Sequence, residues 1–223
     1  MIATIGEIIQ NGVMFDMKNW SGEAFNPESL PGIVERFFEL LQERKIDYLL
    51  VGGIALLSYV DGRNTQDIDF ILTRSDLEGI PEVVVTEENL DFARGDFSGL
   101  QIDFLLTKNK LFDLVNRKFV TDRQVSDRMI RMVTVEGLIL LKLYALPSLY
   151  RQGKFDRASI YESDITLLLL NYKIDLVPLV KILKKHVLAS DIEEINQTIT
   201  DLQTRIRRFE QSRDRSEGLD PLK

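Results

Sequence analysis

The stretch from Val51 to Leu72, VGGIALLSYVDGRNTQDIDFIL, constrains the fold of this chain more than any other. Its last part alternates: the two-residue repeat of a strand sends Asp67 and Asp69 to one face and Ile68 and Phe70 to the other. Two carboxylates then project side by side, and like charges that close repel unless a cation lies between them. Hard oxygen donors of this kind suit Mg²⁺, which is usually held by one or two carboxylates, waters and substrate phosphates. Upstream, the apolar run 46–51 reads as a buried strand that passes directly into Gly52-Gly53 and the helical pattern of residues 54–59. A strand, a glycine turn and a helix start together let backbone N–H groups approach an anion closely.

Arg63 and Thr65 stand just before the first aspartate, where a guanidinium and a hydroxyl reach phosphate oxygens. This spacing suggests a nucleoside triphosphate site. A third carboxylate, Asp103, is the lone acid of the apolar run 100–106, and a charge in such a strand needs a partner. If that strand lies beside the first, Asp103 completes a three-acid cluster able to clamp the attacking and leaving oxygens of an in-line displacement through two metals.

With these residues the chain resembles the polymerase-beta-like nucleotidyltransferase superfamily, whose members carry a glycine-glycine turn, a D-x-D pair and a third acid on a later strand. The VGGIA start, the Arg63-x-Thr65-x-Asp67-x-Asp69 string and Lys142 look most like the AbiEii-type and related minimal nucleotidyltransferases of prokaryotic toxin–antitoxin systems. The resemblance covers residues 46 to 170. It implies a mixed α/β fold, with a β-sheet that bears the acids, flanking helices and a helical C-terminal part. It implies catalytic and metal-binding roles for Asp67, Asp69 and Asp103, with Mg²⁺ as cofactor and a nucleoside triphosphate as substrate. Gly52, Gly53, Arg63, Thr65, Lys142, Arg151 and Lys154 are then the nucleotide-binding residues. Because Gly53 is followed by Ile54 and Ala55, where many members place a serine, backbone N–H groups take over its phosphate contact. The implied acceptor is a tRNA end or a protein, with a cognate antitoxin as a further partner. Two other readings stand beside it, a catalytically inactive nucleotide-sensing or interaction module and a small-molecule adenylyltransferase acting on antibiotics.

The net charge of −7, from 35 acids against 28 bases, argues against a large sequence-independent grip on nucleic acid, which needs Lys and Arg over many phosphates. A local basic groove remains open to it. Arg151, Lys154 and Arg157 share one glycine-containing segment that suits a triphosphate or an RNA end, with Tyr144, Tyr150, Phe155 and Tyr161 around it. The mixed charges Asp122, Arg123, Asp127, Arg128 and Arg131 read as a solvated edge. His186, the single histidine, lies near a helix end where a cation complements the dipole, and it receives no role. There are no cysteines, which excludes disulfides and thiolate metal sites. With no long apolar span and no basic leader before Glu7, the expected location is the cytoplasm, without membrane contact.

Residues 1–134 are expected to form the catalytic domain, 135–212 a helical region and 213–223 a disordered tail. Residues up to Asn26 read as a short arm or capping helix, followed by a helix over 27–44. Strands are predicted at 46–51, 67–72, 82–86, 100–106 and 129–133, with a helix over 111–118. The segment 90–99, with Gly95 and Gly99, reads as a turn or hairpin. From Val135 onward the pattern is helical, broken at Pro147, at Gln152-Gly153 and at Pro178. Ile192, Ile195, Ile199, Leu202, Ile206 and Phe209 give the run 191–211 one apolar face, which predicts packing on its own domain.

Overall fold

A computed structural model of the protein describes residues 30–60, 65, 67–125 and 128–217. The expected N-terminal arm, Arg63, Asp127 and the last six residues of the tail lie outside the described residues. The chain divides into two compact units, Met1–Leu138 and Ile139–Lys223.

The first unit is built on a seven-stranded mixed sheet. It comprises α1 (Leu30–Glu43), β1 (Tyr48–Val51), α2 (Gly52–Leu57), β2 (Ile68–Leu72), α3 (Arg74–Glu78), β3 (Val84–Glu88), β4 (Phe92–Phe97), β5 (Leu100–Leu106), α4 (Lys110–Lys118), β6 (Val120–Val125) and β7 (Arg128–Val133). The strand order is β3-β4-β5-β2-β1-β7-β6. β2 pairs antiparallel with β1 and parallel with β5, so the strand carrying Asp69 is enclosed on both sides.

The alternation read from the sequence sets what each face does. Ile68, Phe70 and Leu72 of β2 are buried, as are Ile102, Phe104 and Leu106 of β5. Phe70 anchors an aromatic cluster: Phe37 and Phe38 of α1 lie 5.7 and 5.9 Å from its ring, Tyr48 lies 5.3 Å away edge-on, and Phe104 stacks at 6.3 Å. Burial raises the proton affinity of the Tyr48 phenol, and Arg128 nearby acts against that rise. Aromatic pairs of this geometry add to what the buried area alone contributes. They fix β2 against α1, and thereby the direction in which the aspartates on the opposite side of the strand project.

Of the two glycines in the expected turn or hairpin over 90–99, one serves another end. Gly95 lies inside β4, in a segment expected to be a turn or hairpin, where alternate residues are buried. A Cβ there would fall 2.3 Å from Val83 Cγ1, so the glycine permits close approach of a neighbouring side chain. The turn itself is Ser98-Gly99, with φ of 54° and 88°, and it closes a β4–β5 hairpin in which Phe97 faces Leu100.

The boundary between the units falls within α5 (Val135–Arg151), and the second unit continues with α6 (Phe155–Asn171), α7 (Leu176–Leu183) and α8 (Ala189–Glu217). Neither proline breaks a helix. Pro147 lies inside α5, where apolar burial of Leu143, Leu146 and Leu149 holds the helix through the missing N–H. Pro178 is the third residue of α7, in the first turn, where N–H groups have no helical acceptor in any case. In α8, Ile195, Ile199 and Leu202 are buried while Phe209 is exposed, and the helix packs on α6 and α7. It continues through Glu217, past the start of the segment whose polarity predicts disorder. Among the described residues no helix is long and apolar enough to cross a membrane.

Truncating the aromatic anchor tests this account of the first unit. Phe70→Ala is expected to lower the unfolding free energy by about 3–5 kcal/mol, the usual cost of emptying a buried aromatic site. Urea denaturation followed by circular dichroism measures it.

Candidate functional site

β1 ends at Val51, paired with Asp69, and the next residue turns the chain into α2. Gly52 makes that turn at φ +67°, in the left-handed region that favours glycine. A Cβ on Gly52 would fall 1.8 Å from Asp69 Oδ2. The glycine is therefore required twice at one position, by the backbone and by the carboxylate beside it. Gly53 is buried within α2 and continues the same turn.

On β2 the two aspartates occupy positions two residues apart, Asp67 just ahead of the strand and Asp69 within it, and both are half-buried. Gln101 Nε2 donates to Asp67 Oδ1 at 3.3 Å. Thr65 is buried, and its hydroxyl donates to the Asp67 carbonyl at 3.4 Å. Asp103 of β5 stands in register with Asp69 of β2 and is 2% exposed. Two carboxylates are thus directly paired across adjacent strands, with the third just ahead of one of them.

The residue opposite Asp103 on β4 is Arg94. Its Nε donates to Asp103 Oδ1 at 2.7 Å and its Nη2 to Asp103 Oδ2 at 2.8 Å, a bidentate pair. The hydrogen bond to Asp103 raises the proton affinity of the guanidinium, burial acts against that, and the charges of Asp103, Asp67 and Glu87 add to the rise. Arg94 therefore stays cationic. The sequence reading of 90–99 as a turn or hairpin assigns no strand to the residues around Gly95 and so gives Arg94 no partner. The Ser98-Gly99 dipeptide held the signal: pairing outward from Phe97 and Leu100 sets Arg94 opposite Asp103.

These residues fit a divalent cation of the Mg²⁺ kind. Asp67 and Asp69 supply hard oxygens two residues apart, and the bare Cα of Gly52 makes room for the Asp69 carboxylate itself. Among the described residues no group of three or more His, Cys, Asp or Glu is arranged to hold a metal ion, and both Asp103 oxygens are engaged with Arg94.

The remaining residues implied by the resemblance lie in the second unit. Lys142 is 5% exposed, and its Nζ donates to the equally buried Asp164 at 2.7 Å and lies 4.4 Å from the Tyr161 ring centre. Arg151 Nη1 donates to Asp191 Oδ1 in the first turn of α8 at 2.5 Å. Lys154 is exposed at the N-cap of α6, beside the exposed ring of Phe155. Tyr150 donates to Glu162; burial first, and that bond second, raise the proton affinity of its phenol. Arg63 lies outside the described residues.

The buried pair in the second unit gives a direct test. Asp164→Ala strands the Lys142 ammonium in an apolar helix core and is expected to cost about 3–5 kcal/mol, whereas Lys142→Met with Asp164→Leu restores stability to wild type or above. Chemical denaturation of the single and double variants measures both.

No family model matches the chain, and no curated protein matches it in sequence. Among solved structures, the solution structure of the antibiotic-resistance factor ANT(2'')-Ia is similar at 14% identity and a TM-score of 0.48, covering 81% of this chain and 96% of that one. ANT(2'')-Ia in complex with adenylyl-2''-tobramycin is similar at 15% identity and 0.48, covering 78% and 97%. An antigenic nucleotidyltransferase-like protein from Paracoccidioides brasiliensis is similar at 13% identity and 0.49, covering 79% and 91%. The likeness is distant on both measures.

Proposed function

We propose that the protein is a metal-dependent nucleotidyltransferase that passes a nucleoside monophosphate from a triphosphate to an acceptor hydroxyl. The observation that carries this reading is the pair Asp67 and Asp69 beside a positive-φ glycine whose missing side chain clears the Asp69 carboxylate. Two carboxylates on one side of a strand, next to a turn rich in backbone N–H groups, suit a triphosphate with its cation.

Asp67 and Asp69 would hold the ion, and Gly52 and Gly53 would let the phosphates approach the backbone. Bound Mg²⁺ supplies neutralisation of the triphosphate charge and polarisation of the phosphorus under attack. The acceptor oxygen bonds to the α-phosphorus as the bond from that phosphorus to its bridging oxygen breaks, and pyrophosphate leaves. Asp103 takes the acceptor proton. Most of the acceleration comes from position and preorganised charge, so each carboxylate matters to turnover more than to folding. Thr65, Arg63, Lys142, Arg151 and Lys154 are the further nucleotide contacts this reading offers. In the same reading the acceptor is a tRNA end or a protein, the setting a toxin–antitoxin or phage-defence system in the cytoplasm, with a cognate antitoxin as partner. An antibiotic-like small molecule is the other acceptor class.

One observation favours a second reading. Arg94 occupies both oxygens of Asp103, as it would in a module that binds nucleotide and has no turnover.

Purified protein incubated with Mg²⁺, each labelled triphosphate and total tRNA or cell lysate separates the two. Label on RNA, protein or a small molecule, lowered about 10²-fold or more in Asp69→Asn and in Asp67→Asn, supports the enzyme. Magnesium-dependent nucleotide binding without label on any acceptor supports the sensing module.

A further inference from the structure

Four charged residues lie in one row across four neighbouring strands. Glu87 of β3 faces Arg94 of β4, Arg94 faces Asp103 of β5, and Asp103 faces Asp69 of β2. Residues paired in register project from the same face of a sheet. The row therefore runs acid, base, acid, acid from the exposed edge toward the D-x-D pair. Its outer member owes its place to an irregularity. The β3–β4 register shifts between Val85 and Glu87, and without that bulge Thr86 would oppose Arg94. The Thr86 hydroxyl donates instead to the Arg94 carbonyl at 3.2 Å. Bulges beside functional sites commonly re-aim a side chain, and this one brings a carboxylate to the far side of the arginine.

The two acids flanking Arg94 differ in exposure. The Asp103 side chain is 3% exposed and holds the guanidinium through two short bonds. The Glu87 side chain is 65% exposed, and its Oε2 lies 3.9 Å from Arg94 Nη1, within reach but outside hydrogen-bond range. The Arg94 side chain is partly exposed, at 27%. In this arrangement a cation at Asp103 competes with the Arg94 guanidinium for the same two oxygens, and the side toward which Arg94 can withdraw already carries an acceptor.

We propose that Arg94 is a two-position gate. It holds Asp103 in the nucleotide-free protein, and it turns outward to Glu87 and the incoming triphosphate when metal and nucleotide arrive, which frees Asp103 to act as the third acid. Arg94 is in this sense a positioning residue, acting on the chemistry through Asp103. The gate rests on the metal-dependent reading of the site given above. It accounts for a third acid that sits in register with Asp69 yet has both oxygens held by Arg94 in the resting protein.

Mn²⁺ binding without nucleotide, counted by electron paramagnetic resonance of the free ion, tests the gate apart from activity. Wild type is expected to bind Mn²⁺ through the D-x-D pair, with the binding lost in Asp69→Asn. Arg94→Gln is expected to bind Mn²⁺ at least about tenfold more tightly, or to take up a second ion, because a competing charge-assisted pair has been removed. That gain vanishes in Arg94→Gln combined with Asp103→Asn. A folded Arg94→Gln that titrates like wild type, while Asp69-dependent binding persists, overturns the gate alone. Absence of Asp69-dependent binding in every variant overturns the gate and the metal-dependent reading together. Glu87→Gln, at an exposed position, covers the case in which Arg94→Gln does not fold. Loss of the outer partner is expected to weaken binding of a non-hydrolysable triphosphate with Mn²⁺ by about twofold to fivefold, the scale of an exposed ion pair. Unchanged affinity there overturns the gate.

Discussion

The pair between Arg94 and Asp103 lets an apolar sheet carry a carboxylate at 2% exposure directly beside Asp69. Removing an ionised carboxylate from water costs several kcal/mol, and a second acid in the next strand adds repulsion. A planar fork that meets both oxygens from the opposite strand offsets much of that. Strand geometry follows from this requirement. The two-residue hairpin turn at Ser98-Gly99 fixes which β4 residue faces Asp103, and Gly95 lets β4 lie close under Val83 while doing so.

The same division of labour governs the other side of β2. Phe70 and its aromatic neighbours fix the strand against α1, and the residues on either side of Phe70 in the alternation are Asp69 and Ile71, both turned to the opposite face. Gly52 then completes the local geometry by turning the chain without placing any atom on the Asp69 carboxylate. The second unit meets buried charge in the same way, with Lys142 and Asp164 satisfying one another inside a helical core. Two of the bases that the motif resemblance assigns to nucleotide binding, Lys142 and Arg151, are engaged with Asp164 and Asp191 in this structure.

Much of the sheet was legible because its strands are apolar and alternate. The runs ending at Val51 and Leu72 and the run around Asp103 were found within a residue or two, and their pairing places Asp69 beside Asp103. β6 escaped, a strand of mixed charge, and so did β4, where Arg94, Gly95 and Asp96 interrupt the apolar pattern and composition points to a loop. Its burial alternates all the same, because Ala93 and Gly95 are small and fit beneath neighbours. The helix ends were misread for a related reason. Pro147 and the polar stretch after Ser212 both signal a stop locally, and the helices continue through them. The glycine of the site was read correctly as a turn, but its second role depends on a distance to Asp69 that no sequence pattern encodes.

Equilibrium binding of nucleoside triphosphates to wild type and Gly52→Ala, with and without Mg²⁺, tests the central claim most directly. Gly52→Ala adds one methyl group where Asp69 Oδ2 now lies and forces an L side chain into a left-handed turn. The account requires magnesium-dependent binding by wild type and a loss of about tenfold or more in a variant that keeps its circular dichroism spectrum. Equal binding by a folded Gly52→Ala, or wild-type binding indifferent to Mg²⁺, would contradict it.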